Sequence, residues 1–152
     1  MHTVRPAELR DCEELAKMHL LLWPECELDE EKKQIEALLT TGKCGTLAAA
    51  IFVADAGDGT LAGFLSVGLR SHADGCDVSH PVGFIEGWFV CEADRNRGVG
   101  GALVHAAEQW AREHDCAEMA SDALIENEDS QRAHRALGFE VVDRCVHFRK
   151  SL

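Results

Sequence analysis

The chain has 152 residues, 46% of them hydrophobic, which suits one compact domain with a real core. Its formal charge of −12 disfavours nucleic acid and anionic membrane as partners and favours cations. No stretch approaches the roughly 20 apolar residues of a membrane span, and the opening residues MHTVRPAELRDCEELAKM hold no apolar run of signal-peptide type. Seven cysteines, an odd number without a C-x-x-C pair, read as free thiols in a reducing cytoplasm. The eight histidines never stand with cysteines at zinc-ligand spacing, so no metal is expected.

The elements follow in chain order. His2–Arg5 predicts a short strand. From Ala7 to Leu22 the apolar residues Leu9, Cys12, Leu15, Ala16 and Leu20 recur at helical spacing, and Pro24 ends the helix. Asp29–Leu39 reads as a second, more polar helix closed by Thr41-Gly42. Thr46–Asp55 and Thr60–Arg70 are apolar strand runs joined by the turn Ala56–Gly59, hence a hairpin. A polar loop, Ser71–Pro81, precedes the strand Val82–Val90, which is apolar on both faces except at Glu86. A helix with Val99, Leu103, Ala107 and Trp110 on one face follows, then a short strand at Ala117–Asp122 and a helix at Ser130–Leu137 stopped by Gly138. Phe139–Arg144 and Cys145–Lys150 read as two final strands. Without strict βαβ alternation, this order predicts an α+β (mixed α/β) fold over 1–152, with helices on both faces of the sheet.

One segment is poor packing material. Arg95, Asn96, Arg97, Gly98, Val99, Gly100 and Gly101 lie between a strand and a helix. A helix N-terminus presents unpaired N–H groups and a partial positive charge, and glycines let a ligand approach that backbone. The combination suits a phosphate, with Arg95 and Arg97 adding charge-assisted hydrogen bonds. No Gly-Lys-Ser/Thr follows, so it is not a P-loop, and Leu103 breaks the G-x-G-x-x-G pattern. Asp122 lies near the spacing of a dinucleotide-fold acid, but the chain lacks repeated βαβ units. The pattern that remains is R-x-x-G-x-G, Arg95 to Gly100.

That motif resembles the pyrophosphate loop of the GCN5-related N-acetyltransferases (GNAT), which bind acetyl-coenzyme A. IEGWFV at Ile85–Val90, ASD at Ala120–Asp122, Glu126-Asn127, SQRAHRALGFE at Ser130–Glu140, LWP at Leu22–Pro24 and DGCD at Asp74–Asp77 look together like the aminoglycoside 6'-N-acetyltransferases of that superfamily. The resemblance spans almost the whole chain. It implies a mostly antiparallel central sheet with a V-shaped splay, where Trp88, Phe89 and Val90 lend backbone groups to the pantetheine arm. Asn96 to Gly101 would cradle the pyrophosphate, and Asn127 would bond the cofactor, its alternative role being a helix cap.

Acetyl transfer to an amine needs the amine deprotonated and held near the thioester, a donor for the developing oxyanion, and a protonated leaving thiol. Glu86 is the first candidate, because a carboxylate within an apolar strand is costly to bury unpaired. It reads as a ligand for a substrate ammonium and a route for its proton, the alternative being a strand-end residue or a buried ion pair. Asp122 reads in the same dual role, the alternative being a cap or turn. The resemblance places Asp143 at the substrate rim and Trp23 as a flat wall against sugar rings, where plain packing is the alternative. Val90 N–H is the candidate oxyanion donor. Two departures stand out. The superfamily often has a tyrosine where His134 stands, as proton donor to the thiolate; this chain has no tyrosine, so His134 or water is expected in that role. The loop before DGCD is short, with His72 the nearest equivalent of an aromatic residue found there in related enzymes.

A polycationic aminoglycoside is thus the expected substrate, held by Glu86, Asp122, Asp143 and Glu27. Another polyamine or a protein amine is the alternative acceptor, and a non-catalytic acetyl-CoA sensor the alternative function. A homodimer is expected from the resemblance, with the C-terminal strands as exchange elements.

Overall fold

The computed structural model describes residues 1–152. Six strands, β1 (Thr3–Pro6), β2 (Lys43–Cys44), β3 (Leu47–Asp55), β4 (Leu61–Arg70), β5 (Val82–Val90) and β6 (Met119–Ser121), form one sheet. Four helices accompany them: α1 (Cys12–Leu22), α2 (Leu28–Thr41), α3 (Val99–Glu113) and α4 (Glu128–Ala136). The strand order is β1-β3-β4-β5-β6, with the short β2 beside β3. Every pairing is antiparallel except β5 with β6.

The first helix starts later than its apolar spacing predicts, because residues 9–11 form a 3-10 turn. Asp11 fixes that turn. Its carboxylate accepts from Glu8 N–H at 2.7 Å and from both terminal nitrogens of Arg5 at 2.8 and 3.0 Å. Arg5 Nε also donates to Asp55 at 3.0 Å, so one guanidinium joins β1, the turn and the end of β3. The Arg5 guanidinium holds the Asp11 carboxyl below the ordinary carboxylate range. From Cys12 onward the helical period buries Cys12, Leu15, Ala16, Met18 and His19.

The core lies in two layers, one on each face of the sheet. Leu15, Ile35, Ile51, Val53 and Phe64 fill the space under α1 and α2. Leu65, Val67, Ile85, Leu103, Val104 and Ala107 fill the space under α3. Coverage of both faces explains the nearly unbroken apolar run of β4.

Two features of β5 set up the site. First, Ser66 pairs with Gly87 and Val67 with Ile85, so Glu86 is one residue in excess, a β-bulge. Second, the parallel ladder with β6 covers only Gly83–Ile85 against Met119–Ser121. Beyond Ile85 the two strands part, which is the V-shaped splay.

The final strands at Phe139–Arg144 and Cys145–Lys150 do not form. From Gly138 to Leu152 the chain has no regular structure, with Val141, Val142, Val146 and Phe148 exposed. These residues are β-formers, but a strand needs a neighbour for its N–H and C=O groups, and this chain brings none to them. The short strand expected at Ala117–Asp122 is likewise reduced to Met119–Ser121.

Candidate functional site

The loop between β5 and α3 is built to expose backbone N–H groups. Asn96 has φ 60° and Gly98 φ 81°, both left-handed. Gly98 is the residue before α3, where any Cβ would be strained. The first helical bond runs from Ala102 N–H to Gly98 O at 3.0 Å, and the N–H groups of Asn96 through Gly101 donate no well-formed hydrogen bond within the chain. Left-handed turns leading into a helix aim such groups into a shared concavity that fits an anion. Arg95 Nε donates to Val90 O at 3.0 Å, pinning the loop to the end of β5. Arg97 is largely exposed, and its guanidinium lies 4.0 Å from Asp94, free to meet a ligand.

The free edge of β5 adjoins this loop. Cys91 N–H bonds Ala62 O at 2.8 Å, so by strand alternation the backbone of Phe89 also turns toward β4. Trp88 and Val90 therefore turn theirs outward, into the splay, as the Arg95 bond to Val90 O confirms. Phe89, expected to lend backbone groups to a ligand there, instead faces β4, and its ring stacks on Phe64 at 6.2 Å. The Trp88 indole packs against the first turn of α3, its Nε1–H buried without a partner. A glycine cradle, a row of unpaired N–H groups and an open strand edge together fit a long ligand bearing a diphosphate and an amide-rich arm.

Asn127 serves as the N-cap of α4, its Oδ1 accepting from Ser130 N–H at 3.1 Å. The cap leaves its amide N–H₂ for a ligand. His134 sits between Trp88 and Phe139, edge-to-face with each at 5.2 and 5.3 Å. Its Nδ1 lies 2.7 Å from Ser130 O, which can only accept, so Nδ1 carries a proton. Its Nε2 lies 2.7 Å from the Ser121 hydroxyl, which can donate or accept there.

The predicted carboxylates and Trp23 lie toward the α1/α2 face. The bulge turns Glu86 outward, so it is not the buried acid its apolar neighbours suggest; its side chain is 44% exposed. It forms a two-pronged ion pair with Arg70, Nε to Oε1 at 2.9 Å and a terminal nitrogen to Oε2 at 2.8 Å. The Arg70 guanidinium also lies 3.5 Å over the Phe84 ring. The pair with Glu86 holds Arg70 more firmly protonated than usual, burial opposes this, and Asp122 adds to it. Asp122 directly follows β6, one step past the Ile85–Ser121 pair, and its charge acts on Arg70.

Trp23 follows α1 and is steadied from behind. His19 meets it edge-on at 5.3 Å and lies 4.6 Å from Phe64, while Glu31 of α2 bonds His19 Nδ1 at 2.8 Å. The Trp23 ring lies over Gly87, where a Cβ would come within 2.6 Å of it. Trp23, Glu86, Asp122, His72 and Asp143 all line one open cleft, which also reaches Trp88, Val90, Arg95 and Asn96. Val142 packs on Gly75, setting Asp143 beside the 71–81 loop. Glu27 is not in that lining; Glu25, two residues earlier, is. Arg70 and Gly87 carry no mark in the sequence that sets them beside Glu86 and Trp23, since their places depend on the bulge. No three His, Cys, Asp or Glu side chains gather as a metal site, all seven cysteines are free, and no helix is long and apolar enough to cross a membrane.

The sequence and fold have counterparts in known proteins. The chain is 42% identical over 149 residues to an aminoglycoside N(6')-acetyltransferase type 1 of Klebsiella aerogenes, covering 98% of this chain and 96% of that one. It is 38% identical to the protein of the same name from Stenotrophomonas maltophilia, covering 99% and 94%. The solved structure of AAC(6')-Iy in complex with the bisubstrate analog CoA-S-monomethyl-acetylneamine superposes with a TM-score of 0.88 at 35% identity, covering 100% of this chain and 99% of that one. The sequence profile of the acetyltransferase (GNAT) family matches residues 12–139, and on these grounds the chain belongs to the GNAT family of acetyltransferases.

Proposed function

We propose that the protein is an aminoglycoside 6'-N-acetyltransferase, moving the acetyl group of acetyl-CoA to the 6'-amine of a polycationic aminoglycoside and so conferring resistance. The observation that carries this reading is one cleft with two ends. One end is the row of free N–H groups from Asn96 to Gly101; the other holds the carboxylates of Glu86 and Asp122 and the Trp23 ring. Relatives named for this activity match nearly the full chain.

Asn96–Gly101 would hold the pyrophosphate, with Arg97 adding charge; Arg95 secures the loop, and Asn127 offers its amide. Trp88 and Val90 present backbone groups to the pantetheine arm along the splay. Acetyl-CoA supplies the thioester whose carbonyl carbon the amine attacks, with cleavage of the carbon–sulfur bond. Asp122 and Glu86 hold the substrate ammonium and take up its proton through water. Val90 N–H, turned into the splay, stabilises the oxyanion that develops on the carbonyl. The departing sulfur takes its proton from His134 or from water. Trp23 supports the sugar rings, while His72 and Asp143 stand at the rim.

The chain is taken to act as one domain in the cytoplasm and as a homodimer. The outer edge of β6 is open, and Val141, Val142, Val146 and Phe148 stand exposed on a β-competent tail. A second copy of the chain supplies what both lack, a strand neighbour. Light scattering should give twice the chain mass, and truncation after Gly138 should give the single mass; an intact chain running as a monomer contradicts the pairing.

The activity is tested by thiol release from acetyl-CoA with kanamycin, spermidine and a lysine peptide side by side. Turnover with kanamycin alone supports the reading. Preference for spermidine or the peptide would reassign the acceptor, and CoA binding without turnover would mark a sensor.

A further inference from the structure

Glu86, the carboxylate best placed to take a substrate ammonium, already holds a cation. Arg70 engages both of its oxygens, at 2.9 and 2.8 Å. The same guanidinium lies 3.5 Å over the face of Phe84, and Asp122, one register step beyond the last β5–β6 pair, acts on it by charge. An aromatic face with carboxylates around it is a cage for a cation. Its resident is part of the chain.

Both partners are 44% exposed, so solvent screens the pair and can take up either group once it parts. The fork can therefore open, but only to a ligand that brings more than it displaces. A single ammonium replacing a guanidinium gains nothing: it makes one contact with the carboxylate where Arg70 makes two, and it must also match the stacking on Phe84. A ligand with several ammonium groups keeps its remaining charges for the other acids of the cleft. Among these are Asp122 after β6, Asp74 of the loop, Asp143 beside it and Glu25 of the turn after α1.

We propose that Arg70 is a specificity residue, a resident cation whose displacement from Glu86 sets a charge threshold that polyammonium acceptors pass and monoamines do not. This deepens the acceptor-site reading above and rests on it. Arg70 is not needed for bond making; it decides which amines reach the site.

The test compares kanamycin with 6-amino-6-deoxyglucose, which carries the same kind of reacting amine on one sugar with one charge. Their kcat/KM ratio is measured for the wild type, Arg70→Gln and Arg70→Lys, with thermal melting to confirm that each variant folds. In Arg70→Gln, KM for the monoamine should fall about tenfold and the ratio should shrink. Arg70→Lys keeps a resident charge and should hold the ratio near the wild-type value. A purely structural Arg70 would instead raise KM for both acceptors. That result, or an unchanged ratio in Arg70→Gln, overturns the proposal. Failure of the wild type to acetylate kanamycin contradicts the activity itself, and turnover with an unmoved ratio contradicts Arg70 alone.

Discussion

The indole of Trp23 lies over Gly87, so close that a Cβ on that glycine would fall 2.6 Å from the ring and 3.4 Å from Phe64. The wall of the acceptor cleft thus rests on the residue next to Glu86, and the bulge sets the position of both. Gly87→Ala must push Trp23 off its seat, an overpacking cost of about 1–3 kcal/mol. KM for the aminoglycoside should rise about tenfold, with KM for acetyl-CoA unchanged. Steady-state kinetics with each substrate varied in turn checks this.

Glu86→Gln keeps the shape of the side chain and removes its charge. If Glu86 binds the ammonium and receives its proton, kcat/KM for kanamycin should fall about 10²-fold. CoA affinity should stay as it was, because the N–H row is at the other end of the cleft. Unchanged kinetics would remove Glu86 from the site.

Gly98 stands before α3 at φ 81° with open space around it. A Cβ there meets no neighbour, so the effect of Gly98→Ala is conformational, at about 1–2 kcal/mol. The loop should relax and turn its N–H groups away from their common focus. Calorimetry should show CoA binding weakened roughly tenfold, while the affinity for kanamycin alone is kept.

Arg5 and Asp11 give a stability prediction with a definite sign. The Arg5 guanidinium lowers the folded carboxyl of Asp11 below its unfolded value of 3.8. The stabilisation is therefore present above that pH and is lost as pH falls through the lower, folded value. Asp11→Asn should cost about 3 kcal/mol at neutral pH, since it breaks a largely buried pair. Urea unfolding of wild type and variant should converge as pH drops below 3.8.

A chain of charge −12 that recruits a polycation through carboxylates should bind it less well in salt. The kanamycin Kd should rise at least about tenfold between roughly 0.05 and 0.5 M salt. A flat response would contradict the electrostatic account.

How far the residues disclosed this arrangement depended on how local each signal was. The anion loop was legible because its work is done by residue types in sequence, Arg95 to Gly101, on the mouth of a helix. The two core layers followed from period and alternation. Glu86 was legible as an anomaly, but its meaning was not: one extra residue in β5 turns it outward to Arg70, and a bulge leaves no mark in composition. The outward turn of Trp88 and Val90, against the inward turn of Phe89, likewise depends on register with β4. The C-terminal strands failed for another reason. Their residues favour strand, as read, yet strand formation is a property of a pair, and this chain holds no partner for them.

The central claim is that a diphosphate gripped at the mouth of α3 aims a thioester at an amine held by Glu86 and Asp122. The most direct measurement is the structure of the product, by two-dimensional NMR of kanamycin after incubation with acetyl-CoA and the protein. The account predicts a single acetyl group, on the 6' nitrogen. Acetylation at another nitrogen, or unmodified kanamycin with well-folded protein, would contradict it.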